Sequence, residues 1–399
     1  MYIYKAGVIG AGLMGSGIAQ VISFTGIPVV LKDVNDTFVQ KGLSAARSFY
    51  ETRLKKGKMS QTDVDAKMSL ITGTTKYGDL SDVDLVIEAV PEDLTLKKQV
   101  FSELGKVCPE HTILATNTSA LSISAIASAA KKPENVVGMH FFYPAPVMKL
   151  VEVIPALQTS QETIDAVVSF AENIRKIPIR VKECAGFLVN RLLMPYFCEA
   201  TYALEEGLAA VEEIDEVMVK FGMPMGPFKL ADTLGIDICY NAANVMYSSY
   251  GERLKPPHLL KELYDRKMLG IKSGAGFYVY DGRTNELKNI IPKKVIKRDE
   301  LAPMRLIYPM INEAAICLEE GVATAGDIDL AMIAGTGFPQ DKSGLLHYAD
   351  SIGIGNVLTE LQRLENIYGQ RFHPSPLLQR MVGANYLGVK TKKGFFSYT

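Results

Sequence analysis

A glycine-rich segment near the N-terminus constrains the fold of this chain more than any other feature. Gly10, Gly12 and Gly15 form the pattern G-x-G-x-x-G, which is weak evidence alone because glycines also cluster in ordinary loops. Here the pattern follows a short apolar run, opens a stretch with helical periodicity that lasts to Thr25, and precedes a second apolar run. This order predicts a strand, a tight turn, a helix and a second strand.

Each part of the pattern has a physical role in binding a dinucleotide. Gly10 allows the tight turn, Gly12 lets the backbone approach the pyrophosphate, and Gly15 lets the helix pack against the sheet. Leu13 and Met14 lie between the glycines, where backbone N–H groups at the helix start stabilise the phosphate charge. We predict that these five residues bind the cofactor; a purely structural glycine turn is the alternative.

Asp33 ends the second apolar run, 23 positions after Gly10. A carboxylate at this place can accept hydrogen bonds from the adenosine ribose hydroxyls, and it repels a 2′-phosphate. We therefore predict NAD as the cofactor, although the neighbouring cation Lys32 leaves NADP open.

The composition excludes several other classes of protein. Hydrophobic residues make up 48% and charged residues 22% of the 399 positions, which is typical of a soluble globular protein. The net charge of −1 gives no electrostatic reason to expect nucleic acid or a membrane surface as a partner. The five cysteines form no C-x-x-C pair, so we predict free thiols in the cytoplasm and no metal site.

The uncharged stretch between Lys5 and Lys32 could also indicate a signal peptide or a membrane span. Six glycines and Pro28 interrupt it, and its apolar pattern changes from strand-like to helical and back. Such a segment is poorly suited to one continuous membrane helix, so it supports the strand, helix and strand.

Three further strands are predicted at 83–89, 112–115 and 135–139, separated by helical stretches. Alternating strands and helices indicate a parallel, doubly wound sheet, whose ligand site lies at the carboxyl ends of the strands. Polar residues stand at those ends, and we expect them to meet at one edge of the sheet: Glu88, Glu92, Asn117, Ser119 and His140.

The run MHFFYPAPVMKLVEV, residues 139–153, contains a histidine and a glutamate in an otherwise apolar stretch. Period-two alternation puts Glu152 on the same face as the apolar Leu150 and Ile154, where an unpaired carboxylate is costly to bury. His140 is its obvious partner. The alternative is a core histidine and a glutamate that points to solvent at a strand edge.

Five motifs in order, from residue 7 to residue 193, extend this pattern: GVIGAGLMGSGIA, VIEAVPEDLTLKK, ATNTSALSI, VVGMHFFYPAPVMKLVEV and AGFLVNRLL. Together they resemble the L-3-hydroxyacyl-CoA dehydrogenase family, which oxidises (S)-3-hydroxyacyl-CoA to 3-oxoacyl-CoA with NAD in fatty acid metabolism. The resemblance implies an acyl-CoA substrate and an NAD cofactor for this chain.

The resemblance also implies roles for individual residues: His140 as general base with Glu152 as its orienting partner, Ser119 and Asn190 as catalytic and substrate-binding residues that hold the substrate oxygen, and Glu92 and Lys97 as contacts on the nicotinamide side of the cofactor.

Three positions leave a structural alternative or a departure from the family. Ser119 could instead cap a helix, as could Thr118, and Asn190 could be a helix residue satisfied by backbone. Tyr143 stands where the family usually has an asparagine implicated in cofactor contact, so we assign it no cofactor role.

After Val181 the sequence becomes helical and repeats itself. The segment from Asn190 matches the segment from Met304 at an offset of 114 residues, and the LGIKSGAGFYVY run matches LGVKTKKGFFSY at an offset of 118. Met304 lacks the amide of Asn190, so only the first copy is predicted to serve the active site.

These boundaries predict an α/β Rossmann-like domain at 1–182 and two tandem homologous all-α domains at 183–292 and 293–399, with a charged link at 281–300. Family members with a single copy pair through this domain, so the resemblance implies a pseudo-symmetric pair within one chain and a monomer.

Other relatives carry the same unit fused to an enoyl-CoA hydratase. We therefore expect either a free-standing dehydrogenase or the dehydrogenase part of a larger protein. Two alternatives remain open: a dehydrogenase of a non-CoA hydroxy or sugar acid, and a non-catalytic NAD-binding or structural protein.

Overall fold

A computed structural model describes residues 1–281 and 302–399 of the chain. These residues form two compact units, Met1–Phe187 and Leu188–Thr399. The predicted boundary between residues 292 and 293, and the predicted link at 281–300 beyond its first residue, lie outside the described residues. Among the described helices, none has the length and hydropathy needed to cross a membrane.

The first unit contains one eight-stranded sheet with helices between its strands. The strands are β1 (Ala6–Ile9), β2 (Val29–Lys32), β3 (Ile71–Thr74), β4 (Leu85–Glu88), β5 (Ile113–Thr116), β6 (Val136–Phe141), β7 (Leu150–Pro155) and β8 (Ile177–Arg180). The helices are α1 (Leu13–Phe24), α2 (Asp36–Lys55), α3 (Gln61–Met68), α4 (Leu94–Val107), α5 (Ile123–Ala127) and α6 (Gln161–Asn173).

The strand order is β3-β2-β1-β4-β5-β6-β7-β8, which confirms the predicted doubly wound sheet. The order reverses between β1 and β4, and in such folds ligands bind beyond the carboxyl ends of the strands at this reversal. Strands β1, β2, β4 and β5 are buried along their whole length, because helices cover both faces of the sheet. Their sequences, AGVI, VVLK, LVIE and ILAT, are apolar except at the last positions of β2, β4 and β5, which is typical of such buried parallel strands.

One pair of strands departs from the parallel arrangement predicted. Strands β6 and β7 run antiparallel, while every other described neighbour pair in the sheet is parallel. Only residues 142–149 connect the two strands, and a parallel crossover needs about a dozen residues or more. The chain therefore returns directly, and β7 lies beside β6 in the opposite direction.

The second unit is helical, which confirms the all-α architecture predicted from the sequence. Its helices are α7 (Val189–Glu205), α8 (Val211–Phe221), α9 (Pro227–Leu234), α10 (Ile236–Tyr250), α11 (His258–Asp265), α12 (Met304–Glu319), α13 (Ala325–Ala331), α14 (Leu345–Ile352), α15 (Ile354–Tyr368) and α16 (Pro376–Gly383). The first helix of each copy, α7 and α12, pack against each other.

Ion pairs between the two copies exchange their partners. Arg191 Nε donates to Glu313 Oε1 at 2.7 Å, and Arg305 Nε donates to Glu199 Oε1 at the same distance. In sequence, Arg305 and Glu313 each lie 114 positions after their counterparts. Such an exchange is what a two-fold relation between two similar bodies produces.

Each copy also ties its chain together around a buried aspartate. Asp215 accepts hydrogen bonds from two backbone N–H groups and from the Tyr278 hydroxyl. The corresponding Asp329 also accepts two backbone hydrogen bonds, but Phe396 stands where the tyrosine would be. There His347 Nδ1 lies 2.7 Å from the carboxylate and its ring stacks on Phe396, so the second copy replaces the lost hydroxyl with an imidazole.

Candidate active site

Two glycines of the N-terminal loop are required by the protein's own packing. Gly10 follows β1 with a φ of +98°, a conformation that residues with a side chain rarely adopt. A Cβ atom there would also lie 2.6 Å from the carbonyl oxygen of Ala89. A Cβ on Gly15 would lie 1.7 Å from the carbonyl oxygen of Gly10, so helix and loop can approach only without a side chain.

Gly12 differs, because the protein does not fill the space beside it. Its φ is −72°, and an added Cβ would meet no protein atom within 4 Å. Gly12 precedes α1, which has no side-chain cap and no acidic residue in its first turn. The helix therefore presents uncapped N–H groups beside open space, an arrangement that suits an anion. The loop thus fits the pyrophosphate of a dinucleotide.

Asp33 joins the end of β2 to this loop. Its Oδ2 accepts a hydrogen bond from the Ala11 N–H at 2.6 Å, and its Oδ1 accepts one from the Val34 N–H at 2.6 Å. Each oxygen of an ionised carboxylate can accept a further hydrogen bond, so both remain available to ribose hydroxyls.

The ammonium group of the neighbouring Lys32 lies against an aromatic ring. Its side chain is buried, and its Nζ lies 3.8 Å from the centre of the Tyr77 ring. Burial lowers the pKa of Lys32, and the charge of Asp33 offsets only part of this shift. Because the aromatic ring holds the ammonium group, Asp33 is left to determine the charge beside the ribose position.

Lys97, a predicted cofactor contact, forms a buried ion pair in this structure. Its Nζ donates to Glu88 Oε1 at 2.7 Å and lies 3.5 Å from Glu92 Oε2. Only 1% of Lys97 and none of Glu88 is exposed. Thr116 Oγ1 donates to the second oxygen of Glu88. Since an unpaired buried charge is strongly destabilising, Lys97 has a structural task whether or not it also contacts the cofactor.

Glu92 organises the turn that carries Ser119. Its Oε1 accepts hydrogen bonds from Thr118 Oγ1 at 2.6 Å, the Ser119 N–H at 2.9 Å and Ser119 Oγ at 3.2 Å. Burial raises the pKa of Glu92, but these hydrogen bonds and the charge of Lys97 outweigh it, and the pKa lies below its usual value. Helix α5 is capped by Ser122, so Ser119 is not the helix cap.

His140 and Glu152 stand directly opposite each other in the β6–β7 ladder. His140 Nδ1 lies 2.7 Å from Glu152 Oε2, and the two residues are 7% and 0% exposed. An ionised carboxylate only accepts hydrogen bonds, so Nδ1 donates and Nε2 is the ring nitrogen left for a ligand. The imidazole ring also packs against Phe142 and Phe187, with ring centres 4.5 and 5.8 Å away.

The position of His140 corrects one sequence expectation, and the position of Glu152 excludes the alternative of a solvent-facing glutamate at a strand edge. His140 lies inside β6 and not after its end, because pairing with β7 extends the strand through Phe141. Glu152 does not lie at a sheet edge, because β8 covers the other side of β7. Asn117, to which no role was assigned, accepts the Phe141 N–H at 2.8 Å. Asn117 thereby joins the turn after β5 to β6, the strand that contains His140. In the sequence, its position directly after a buried strand was the feature that could have indicated such a role.

Asn190, the fourth predicted catalytic residue, belongs to the second unit. It is the second residue of α7 and is half-buried. Met304 begins the corresponding helix α12 of the second copy. The role of Asn190 in holding a substrate oxygen stays a prediction, as does the assignment of Ser119 to the same task.

The fold and the site define a class. The sheet is doubly wound, a glycine loop leads into an uncapped helix, and an acidic residue follows β2. Together with the buried histidine–carboxylate pair, these features indicate an NAD-binding dehydrogenase. The chain belongs to the 3-hydroxyacyl-CoA dehydrogenase family. The NAD binding domain of this family matches residues 5–184, and its C-terminal domain matches residues 186–280 and again 303–398.

Similar proteins support this assignment at different lengths. The fatty acid oxidation complex subunit alpha of Shewanella amazonensis is 41% identical over 391 residues, which are 95% of this chain and 55% of that protein. A 3-hydroxybutyryl-CoA dehydrogenase structure from Escherichia coli is 29% identical with a TM-score of 0.88, covering 97% of this chain and 100% of that one.

A third relative matches only part of the chain. The (S)-3-hydroxybutyryl-CoA dehydrogenase structure from Ralstonia eutropha is 40% identical with a TM-score of 0.68, covering 70% of this chain and 99% of that one. The chain spans about half the length of the curated relatives that it matches.

Proposed function

We propose that this protein is an NAD-dependent 3-hydroxyacyl-CoA dehydrogenase, which interconverts (S)-3-hydroxyacyl-CoA and 3-oxoacyl-CoA. The main support is the contact of 2.7 Å between His140 Nδ1 and Glu152 Oε2 in a sheet whose first strand leads into the dinucleotide loop. The names of the similar enzymes from Escherichia coli and Ralstonia eutropha support the acyl-CoA substrate.

The histidine acts as general base in the oxidation. The chemistry that bound NAD would supply is acceptance of the hydride that leaves C3 of the substrate. His140 Nε2 takes the proton of the C3 hydroxyl in the same step and returns it in the reverse reaction. Glu152 fixes the tautomer through Nδ1 and stabilises the imidazolium that forms.

Ser119 and Asn190 hold the substrate oxygen in this proposal. The Ser119 hydroxyl already lies against Glu92, which also accepts the backbone N–H groups of Ser119 and Ala120. Glu92 thereby fixes the serine before substrate arrives, which lowers the entropic cost of orienting the reacting groups.

The chain offers a consistent set of groups for NAD. Gly10, Gly12, Leu13, Met14 and Gly15 form the pyrophosphate loop, Asp33 meets the adenosine ribose, and Glu92 and Lys97 lie on the nicotinamide side. The choice of NAD over NADP follows from the negative charge of Asp33, since Lys32 is held by Tyr77.

The pair of helical copies replaces the subunit contact of a dimer, and the protein is a monomer. Reciprocal ion pairs between α7 and α12 support this assignment. A cytoplasmic location fits the free cysteines described in the structure. We also propose association with an enoyl-CoA hydratase, which the longer relatives support, since their names describe an oxidation complex and a multifunctional protein.

The test is a steady-state comparison of substrates with NADH and NADPH. We expect reduction of acetoacetyl-CoA and longer 3-oxoacyl-CoA with NADH, and little activity with NADPH or with free 3-oxo acids. Turnover of free hydroxy or sugar acids without any turnover of CoA thioesters would support the alternative dehydrogenase. NADH binding without turnover of any such substrate would support a non-catalytic protein.

A further inference from the structure

Lys176 is a buried lysine for which the proposed reaction has no use. It lies between α6 and β8 and is 8% exposed. Its Nζ donates to two backbone carbonyls, those of Ala145 and Met148, the second at 2.7 Å. Among the described residues no carboxylate pairs with it, and burial lowers its pKa to about 8.

The carbonyls that Lys176 holds belong to one short loop, residues 142–149. The loop connects β6, which contains His140, to β7, which contains Glu152. Next to the side-chain contacts, the Ile177 N–H donates to the Lys149 carbonyl at 2.8 Å. The start of β8 therefore fixes three carbonyl groups of this loop.

The other side of the loop packs against the helix of the dinucleotide motif. A Cβ atom on Gly17 of α1 would lie 3.3 Å from Ala145 Cβ and 3.2 Å from Pro146 Cδ. Ala145 is 2% exposed, while Tyr143 in the same loop is 56% exposed. The loop is thus held between α1 and Lys176, with its exposed residues outside this contact.

We propose that Lys176 is a positioning residue: its ammonium group fixes the loop 142–149 against α1, and this fixed loop is needed for tight binding of the nicotinamide cofactor. The proposal rests on the proposed function for the identity of the ligand. A charged donor suits this task because hydrogen bonds from an ammonium group to carbonyls are stronger than those between neutral groups.

The first test is the binding of NADH to the Lys176→Met variant at pH 7, followed by NADH fluorescence. Methionine keeps the unbranched stem and removes the donor. We expect the Kd for NADH to rise about tenfold, less than the roughly hundredfold loss of rate that a misplacement of about 1 Å can cause. Lys149→Met is the matched control, since this lysine of the same loop is exposed, and its Kd should equal that of the wild type.

A purely structural role is separated by two further measurements. In the absence of NADH, amide exchange of Val147 and Met148, which both donate to the Pro144 carbonyl, should be faster in the variant. In turnover, the variant should raise the KM for NADH and leave the KM for acetoacetyl-CoA unchanged. Loss of folded protein alone lowers the apparent kcat and moves neither KM.

A second variant decides the question if Lys176→Met does not fold. Gly17→Ala presses on the loop from the opposite side with Lys176 intact, and it should also weaken NADH binding. A folded Lys176→Met variant, or failing that Gly17→Ala, with the NADH Kd of the wild type would overturn the proposal. Wild-type protein that binds NADH but reduces no 3-oxoacyl-CoA would refute the proposed function alone.

Discussion

At the scale of single residues, the site depends on a histidine whose Nδ1 is held by a carboxylate. Glu152 contacts Nδ1 of His140, and the pair is buried in the β6–β7 ladder, one residue pair before its end. In that position a carboxylate without a partner would be costly. The contact that compensates the buried glutamate also orients the proposed base. The same hydrogen bond therefore serves both the stability of the fold and the proposed catalysis.

Replacing either member should therefore affect turnover and leave cofactor binding nearly unchanged. We expect His140→Gln to lower kcat about a thousandfold, the order attributed to general base catalysis. Glu152→Gln keeps the shape but cannot stabilise an imidazolium, and we expect a loss of about a hundredfold, the lower end of the range for general base catalysis. The measurements are kcat with acetoacetyl-CoA and the Kd for NADH. Glu172→Gln, an exposed glutamate on α6, is the control; wild-type kcat in His140→Gln would refute the assignment of the base.

Lys176 gives a prediction about stability and pH. Burial lowers its pKa from 10.5 to about 8, so the folded state binds this proton more weakly than the unfolded state. Between these pH values the unfolded state holds more protons, and the free energy of unfolding rises with pH. Lys176→Met lacks this contribution.

The difference in the free energy of unfolding between wild type and Lys176→Met should therefore shift in favour of the wild type from pH 8 to pH 10.5, by up to about 3 kcal/mol. Urea unfolding at several pH values measures it. A difference that stays constant over this range would show that Lys176 has an ordinary pKa in the folded protein.

At the scale of elements, the glycine loop separates two kinds of glycine. Gly15 is required by packing, because its Cβ would collide with the Gly10 carbonyl, whereas a Cβ on Gly12 would meet no protein atom within 4 Å. Sequence alone assigns roles to both from their spacing. Only the structure shows which one the folded protein itself needs.

Alanine at these two positions should give opposite results. Gly12→Ala has an allowed φ and open space, so we expect unchanged thermal stability and NADH binding that is weaker by about tenfold, as the methyl group keeps the pyrophosphate from the backbone. Gly15→Ala should destabilise the first unit by several kcal/mol, the order expected for a buried steric clash. Thermal unfolding followed by circular dichroism and NADH titration measure both. Tight NADH binding by Gly12→Ala would contradict the assigned role of this glycine.

Much of the sheet could be predicted from sequence because its central strands are buried on both faces. Strands β1, β2, β4 and β5 read as short apolar runs, and their order with the helices determines the doubly wound topology. The edge strands give weaker signals: β3 has the partly exposed sequence ITGT, and β8 contains Pro178, which edge strands tolerate. The antiparallel direction of β7 was not predicted, because it depends on the short connection of residues 142–149 between β6 and β7.

The site was predictable to the extent that strand ends converge. His140, Ser119 and Glu92 could be placed near one edge because parallel strands bring their carboxyl ends together. The buried ion pair of Lys97 with Glu88 could not be predicted from the sequence. Nothing in the sequence of a helix shows that one of its lysines pairs with a glutamate at the end of a strand. The family resemblance therefore implied cofactor contact for a residue whose partner in the structure is another side chain.

At the scale of the whole molecule, the duplication is visible in sequence but its interface is not. The repeat aligns Glu199 with Glu313 at the offset of 114 residues, but this alignment does not show that either glutamate is buried. The structure buries both glutamates to 2% and 3% exposure. Each copy of the repeat thus supplies the arginine that pairs with the buried glutamate of the other copy, within one chain of 43.7 kDa.

The reciprocal network leads to a matched pair of predictions. Glu199 lies between Arg305 and Arg371, and Glu313 lies between Arg191 and Arg253. Neutralising one glutamate leaves two guanidinium groups poorly compensated in a buried place, which costs about 3 kcal/mol. Because the two environments repeat each other, we expect Glu199→Gln and Glu313→Gln to lower the free energy of unfolding of the helical unit by similar amounts.

Urea unfolding followed by far-ultraviolet circular dichroism suits this test, because the chain contains no tryptophan and the second unit is helical. Glu216→Gln, at an exposed helical ion pair with Lys220, should change stability by less than about 0.5 kcal/mol. A large effect of one buried substitution without the other would mean that the two halves of the network are not equivalent. Association of either variant into dimers would show that the internal interface, once weakened, exchanges its partner for a second chain.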